Sequence, residues 1–251
     1  MKVELYNDNF QNFKVYNIPS KAQLLIADIP YNIGSNAYGS RKEAWVDNDV
    51  TKGRAFSRDK MFFRADINFN IAEFFHFASK MLKPEPKLTN QAPAMIVFCA
   101  YQQLPMVAQY GEKHGFLKSY PLYFIKNFSP QVLKANMKIV GAVETALVLY
   151  RDKLPKFNGE GRMILNWFEW KPDGQHVPRL HPTQKPVNLL KQLIRLFTDE
   201  GDVVIDPVAG SGSSLRACAE TNRVAYGFEI DKSFYRDAKS KMLNNFITEL
   251  F

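Results

Sequence analysis

"VVIDPVAGSGSSLRACAETNRVAYGFEID", residues 203–231, decides how the rest of the chain is read. An apolar run over 202–206 predicts a strand that ends in Asp206, and Gly210 and Gly212 follow at once. A helix is expected over 213–221 and a second strand over 224–231. Glycines at such a bend let the backbone pass close to a ligand and aim amides at it from the start of the helix. Glu229 falls 19 residues after Gly210, where a carboxylate at a strand end can accept hydrogen bonds from ribose hydroxyls. No Lys follows the glycines, which disfavours a phosphate-binding P-loop. Leu215 stands where the third glycine of a dinucleotide fingerprint would fall. A purely structural turn would account for the glycines, but not for carboxylates at both strand ends.

The same alternation runs outward from this unit. Strands are expected at 2–6, 23–27, 94–100, 120–125 and 144–150, the last two as an antiparallel pair. A short helical stretch is expected around Asn9–Val15, with longer helices over 69–82, 104–115, 185–197 and 232–248. In the helix over 69–82, Ile71, Phe74, Phe75, Ala78 and Leu82 share a side; over 185–197, Leu189, Leu190, Leu193, Ile194 and Phe197 do. Short apolar strands alternating with amphipathic helices predict an α/β fold, a mostly parallel twisted sheet with an antiparallel strand and helices on both faces. At 251 residues the chain can bury a full core as one domain.

Composition narrows the function classes. Hydrophobic residues make up 46% and charged residues 23%, the balance of an ordinary globular protein rather than a disordered or membrane chain. No apolar run approaches the ~18 residues of a membrane span, and "MKVELYNDNF" lacks the apolar core of a secretory signal. Cys99 and Cys218 sit in apolar surroundings without metal-type spacing, as reduced core residues of a cytoplasmic protein would. The formal charge of +8 fits a polyanionic partner. Two segments outside the alternation carry much of it. Residues 38–65 hold Arg41, Lys42, Lys52, Arg54 and Arg58 among Trp45 and Phe56, and residues 151–180 hold Trp167, Trp170, Lys171 and Arg179. Basic side chains interleaved with aromatics suit phosphate contact and base stacking; the plainer reading is two solvated loops with aromatics turned onto the core.

Asp206-Pro207-Val208-Ala209-Gly210-Ser211-Gly212-Ser213-Ser214 resembles the cofactor loop of the S-adenosylmethionine-dependent DNA amino-methyltransferases. "HPTQKP" (181–186) is similar to the segment that precedes that loop in the β group of the family, and Asp28-Ile29-Pro30-Tyr31 to its catalytic tetrapeptide, usually Asp-Pro-Pro-Tyr. The order, catalytic motif first and cofactor loop last, is the family's circularly permuted one. The resemblance implies a Rossmann-like methyltransferase fold over 1–251 as a single catalytic domain, with 38–65 as an insertion loop and 151–180 as a reduced recognition segment. It also implies S-adenosylmethionine as cofactor. Pro207, Ala209, Gly210 and Gly212, with Asp206, would approach its methionine part, and Glu229 would hold its ribose. Thr183 and Lys185 would lie near its carboxylate, and Asp8 near its adenine edge, unless Asp8 merely caps the next helix. His181 reads as a structural hydrogen-bonder.

The tetrapeptide then has a chemical role. An exocyclic amino group is a poor nucleophile because its lone pair is delocalised into the ring. The Asp28 carboxylate and the Ile29 carbonyl would accept its two N–H bonds and free that lone pair for in-line attack. Tyr31 would stack the extruded base. Ile29 replaces the family's usual Pro, which costs rigidity but keeps the carbonyl. Asp at position 28 favours adenine N6 over cytosine N4. The expected activity is therefore adenine-N6 methylation of DNA at a short or degenerate site, by a monomer or homodimer, of a kind that suits a phage or mobile element. The alternatives are a cytosine-N4 enzyme, a nucleic-acid-binding protein with a vestigial cofactor pocket, and a nicotinamide oxidoreductase. All of these methyltransferase assignments require the early tetrapeptide and the late glycine bend to face one crevice.

Overall fold

A computed structural model of the chain describes residues 2–16, 18, 21–31, 69–127, 131–134, 139–181 and 183–246. The first strand is β1 (Val3–Tyr6), followed by a 3₁₀ turn over Phe10–Val15 and by β2 (Leu24–Asp28). Next come α1 (Ile71–Met81), β3 (Ala94–Cys99), α2 (Leu104–Lys113) and β4 (Lys118–Lys126). A small hairpin, β5 (Gln131–Lys134) and β6 (Ile139–Gly141), precedes β7 (Val143–Tyr150) and β8 (Trp167–Trp170). The chain then runs through α3 (Val187–Phe197), β9 (Val203–Asp206), α4 (Ser213–Ala219), β10 (Val224–Phe228) and α5 (Lys232–Asp237).

Eight strands form one sheet in the order β1-β10-β9-β2-β3-β7-β4-β8. Only β7 is reversed: it runs antiparallel to both β3 and β4, and β8 runs parallel to β4. Because side chains alternate along a strand, β2 feeds two cores. Leu24 and Ile26 join Val187, Leu190, Leu193 and Leu215 of α3 and α4 on one face. Leu25 and Ala27 join Phe74, Phe75, Phe77 and Val107 of α1 and α2 on the other. Burial on both faces explains why β2, β3 and β9 read as unbroken apolar runs.

The crossing of the chain's two ends is settled by register. β2 lies directly beside β9, with Leu24 opposite Val204 and Leu25 opposite Ile205, in parallel. Asp28 and Asp206 therefore both stand at the carboxyl end of the sheet, where its neighbours change in sequence order, the location at which open α/β sheets bind ligands.

Several expectations need correction. The segment 151–180 is not wholly outside the alternation, since Trp167–Trp170 forms the edge strand β8. Trp170 is 5% exposed and belongs to the core, so it cannot stack on an extruded base. The closing helix is shorter than 232–248, because α5 passes into a π-turn over Ala238–Met242. That turn seats Ala238 and Met242 in the core under α4. In α1, Phe77 and Met81 are buried while Ile71 lies at the rim. The basic loop residues Arg41, Lys42, Lys52, Arg54 and Arg58 lie outside the described residues. No helix among the described residues is long and apolar enough to cross a membrane.

Candidate active site

β2 delivers Asp28 as its last residue, half-exposed at the sheet's carboxyl end. Ile29 anchors the chain just beyond the strand. Its side chain is buried and its N–H, which the family's usual proline would lack, donates to the Phe98 carbonyl at 3.1 Å. Rigidity lost with the proline ring is replaced by a ladder bond and a buried side chain.

Around Asp28 the chain assembles an alternating row of charges. Lys126 bonds Glu144, Glu144 Oε2 lies 3.3 Å from Lys185 Nζ, and Lys185 Nζ lies 2.5 Å from Asp28 Oδ2. Lys185 is 6% exposed. Its ammonium also sits 5.3 Å from the ring centroids of Tyr31 and Phe98 and 5.7 Å from that of Trp170. Burial works against Lys185, but Asp28 and Glu144 more than offset it and hold its pKa above the ordinary value. Burial likewise pushes the Asp28 carboxyl up, with Lys185 pulling it back and Glu144 pushing it further, for a net rise. Burial raises Glu144 too, yet Lys185 and Lys126 together bring it below the usual range. Three buried polar atoms in this corner lack a hydrogen bond of ordinary geometry among the described residues: Asp28 Oδ1, the Tyr31 hydroxyl and Glu144 Oε2. The Tyr31 hydroxyl is close enough to the Asp28 carboxylate to lower its pKa. Buried polar atoms ordinarily find partners, and the Asp28 carboxylate beside the Tyr31 hydroxyl offers an acceptor and a hydroxyl together at the strand end.

The second half of the site follows β9. Asp206 is 7% exposed, its Oδ1 accepting the Val208 N–H at 3.0 Å and its Oδ2 the Ser214 hydroxyl. It braces the loop from within. Burial raises its pKa to about 7, against the lowering influence of Ser214 and the Val208 amide. Gly210 (φ +50°) and Gly212 (φ +77°) are both left-handed. A Cβ at Gly210 would meet nothing within 4 Å, whereas one at Gly212 would press on Ala238 at 3.3 Å. Gly210 thus faces open space and Gly212 faces the core. Glu229, 8% exposed, accepts the Gly210 N–H at 2.8 Å and the Asp231 N–H at 2.7 Å. The missing fingerprint glycine is also explained. A Cβ on Gly227 would come 2.8 Å from Leu215, so the close helix–strand approach is made by a glycine on β10 instead of one on α4.

The remaining expected residues scatter. Asp8 accepts from the Asn9 amide, the Asn12 side chain and the Tyr16 hydroxyl and so braces the turn, while the cap itself is Asn9, which accepts the Gln11 amide. Thr183 is exposed and bonds His181 Nδ1 through its amide at 3.1 Å and with its hydroxyl at 2.9 Å. His181 is driven down to about 4 by burial and Lys185, so it is neutral and accepts that amide. Lys185, expected beside a cofactor carboxylate, bonds Asp28. Lys171 is exposed and pairs Glu169 at 2.9 Å. It leaves β8 at the same sheet end as Asp28, and Arg179 is exposed further along the same segment. Cys99 and Cys218 are buried, and burial pushes the Cys99 thiol up to about 12, unlike a nucleophile. Sequence reading missed Glu144 and Lys126. A single acid opening the apolar strand "ETALVLY" was the available signal.

Comparison with known proteins agrees with this layout. A family model described as DNA methylase, of the N6/N4 methyltransferase type, matches residues 22–240. Type II methyltransferase M.HindIII of Haemophilus influenzae is 45% identical over 62 residues, covering 25% of this chain and 20% of that one. DNA adenine methyltransferase YhdJ of Escherichia coli is 24% identical over 94% of this chain and 80% of its own length. Among solved structures, the M1.HpyAVI–SAM complex superposes with a TM-score of 0.68 at 21% identity, over 94% of this chain and 97% of that one.

Proposed function

Because the chain belongs to the N6/N4 DNA methylase family, we propose that it transfers a methyl group from S-adenosylmethionine to the N6 amino group of adenine in DNA. What carries the reading is the adjacency of β2 and β9, which sets an ion-paired carboxylate next to a double-glycine bend. The full-length similarity to an adenine methyltransferase supports adenine over cytosine, as does Asp at position 28.

The residues present fit the cofactor. Gly210 leaves open the space a side chain would fill, and Glu229, fixed by two amides at the end of the neighbouring strand, is the carboxylate that would meet the ribose hydroxyls. When bound, S-adenosylmethionine supplies an electrophilic methyl on a sulfonium. The protein's own part falls to the tetrapeptide. Asp28 Oδ1 accepts one N–H of the target amine and the Ile29 carbonyl the other, drawing the lone pair out of the ring. As nitrogen gains the methyl group it becomes cationic, and its proton passes to Asp28 and on to solvent. Lys185 keeps Asp28 ionised and correctly turned for that transfer. Tyr31 presents its ring to the extruded base, which offsets part of the few kcal/mol that unstacking costs.

In this reading the chain is one catalytic domain acting in the cytoplasm, with 38–65 and 151–180 meeting DNA. Only 30 residues separate Tyr150 from His181, and β8 takes four of them, so base reading is short or degenerate and phosphate contacts from Lys171, Arg179 and the basic loop dominate. The test is incubation with labelled S-adenosylmethionine and unmethylated DNA, followed by nucleoside mass spectrometry. Label in N6-methyladenine supports the proposal. Label in N4-methylcytosine gives the alternative enzyme, and cofactor binding without transfer gives the vestigial binder.

A further inference from the structure

We infer that Gln103 is a positioning residue that keeps the Ile29 carbonyl available to the target amine, an inference that rests on the function proposed above. In a parallel pair, a residue that donates to one neighbour on the partner strand accepts from the residue two further along. Ile29 N–H donates to the Phe98 carbonyl. An unbroken ladder would therefore bring the Ala100 N–H to the Ile29 carbonyl, and the acceptor needed for chemistry would be consumed by the sheet. Gln103 prevents this. Its Oε1 accepts the Ala100 N–H at 2.9 Å, and its Nε2 donates to the Pro30 carbonyl at 2.9 Å. Among the described residues no amide donates to the Ile29 carbonyl. One side chain thus ends the ladder at the residue where a free carbonyl is required and fixes the orientation of the next carbonyl in the tetrapeptide. The amide is suited to this because it offers a donor and an acceptor together.

A capping role for the turn Tyr101–Gln103 would use the same Ala100 bond, so the test must separate presentation of the carbonyl from stability. Gln103→Ala frees the Ala100 N–H to close on Ile29. The single-turnover rate of methyl transfer should fall roughly tenfold or more, the scale of one charge-assisted bond, while affinities for S-adenosylmethionine and DNA and the melting temperature hold. Ala100→Pro removes that N–H altogether, and Ala100 already has φ −63° and ψ 151°, which proline accepts. The double variant Gln103→Ala/Ala100→Pro should regain most of the lost rate. Full activity in Gln103→Ala would overturn the inference, and so would a double variant that stays slow at an unchanged melting temperature. If the double variant melts early, a crystal structure of Gln103→Ala decides: Ala100 N within hydrogen-bond reach of the Ile29 carbonyl supports the inference, and an open gap overturns it. Wild-type protein that methylates no DNA would overturn the functional reading and this inference with it, whereas an active wild type with an indifferent Gln103 would overturn only the latter.

Discussion

Lys185 Nζ lies 2.5 Å from Asp28 Oδ2 although 157 residues separate them in the chain. The contact joins the motif before α3 to the motif after β2, and it makes one charged unit of two stretches that sequence reading treats as cofactor and catalytic segments.

Replacing Lys185 by Met leaves Asp28 and Glu144 as neighbouring acids with less compensation, so the melting temperature should drop. Without the ammonium the Asp28 pKa rises further. Methyl transfer needs the ionised carboxylate, so the acid limb of its pH–rate profile should move to higher pH. Stopped assays from acid to alkaline pH measure this.

Burial pushes the Asp206 carboxyl up to about 7 in the folded protein, from its ordinary value of 3.8. The folded state therefore binds the proton more tightly than the unfolded state between those values. By linkage, this group's contribution falls as pH rises from about 4 to about 7. Asp206→Asn should flatten that slope: the variant's melting temperature, compared with wild type, should gain more above the folded-state pKa than below it. Parallel melts of the two proteins without ligand give the difference directly.

Gly227 and Leu215 form a complementary pair across β10 and α4. Gly227→Ala places a methyl 2.8 Å from Leu215 and should destabilise by roughly 1–3 kcal/mol through overpacking. Leu215→Ala alone should cost about 2–5 kcal/mol through its cavity. The double variant should lose less than the sum, since each change relieves the other. Urea unfolding of wild type, both single variants and the double variant measures the coupling.

Glu229 accepts two backbone amides with two oxygens. Glu229→Gln must turn its NH₂ toward one of them, which costs about 1–3 kcal/mol for the donor left unpaired. Calorimetry should show S-adenosylmethionine affinity weakened by about tenfold or more, with the fold retained.

Much of this was legible in the sequence where local physics decides. The β9–α4–β10 unit, the apolar β2 and β3 and the antiparallel pairing of β4 with β7 follow from apolar patterning and glycine placement. Strand β8 escaped because "WFEW" is four residues of an edge strand with only its last side chain buried, too short for a period to show. The β5–β6 hairpin escaped for the same want of length. Asp28, Glu229 and the glycines could be singled out as candidates because each stands at or beside a strand end. The ion pair of Lys185 with Asp28 and the placement of Glu144 and Gln103 were not legible, because they depend on which strand ends become neighbours in the sheet. Asp206 was recognised as part of the loop, but its internal bracing role needed coordinates.

For the proposed chemistry to run, the Asp28 corner and the Gly210 bend must enclose a single reaction space. A crystal structure with S-adenosylmethionine bound puts this to the test. The ribose should lie on Glu229 and the sulfonium beside Gly210, with the methyl aimed toward Asp28 Oδ1 across a gap the width of a planar base. A cofactor seated elsewhere, or one whose methyl points away from Asp28, would refute the shared site.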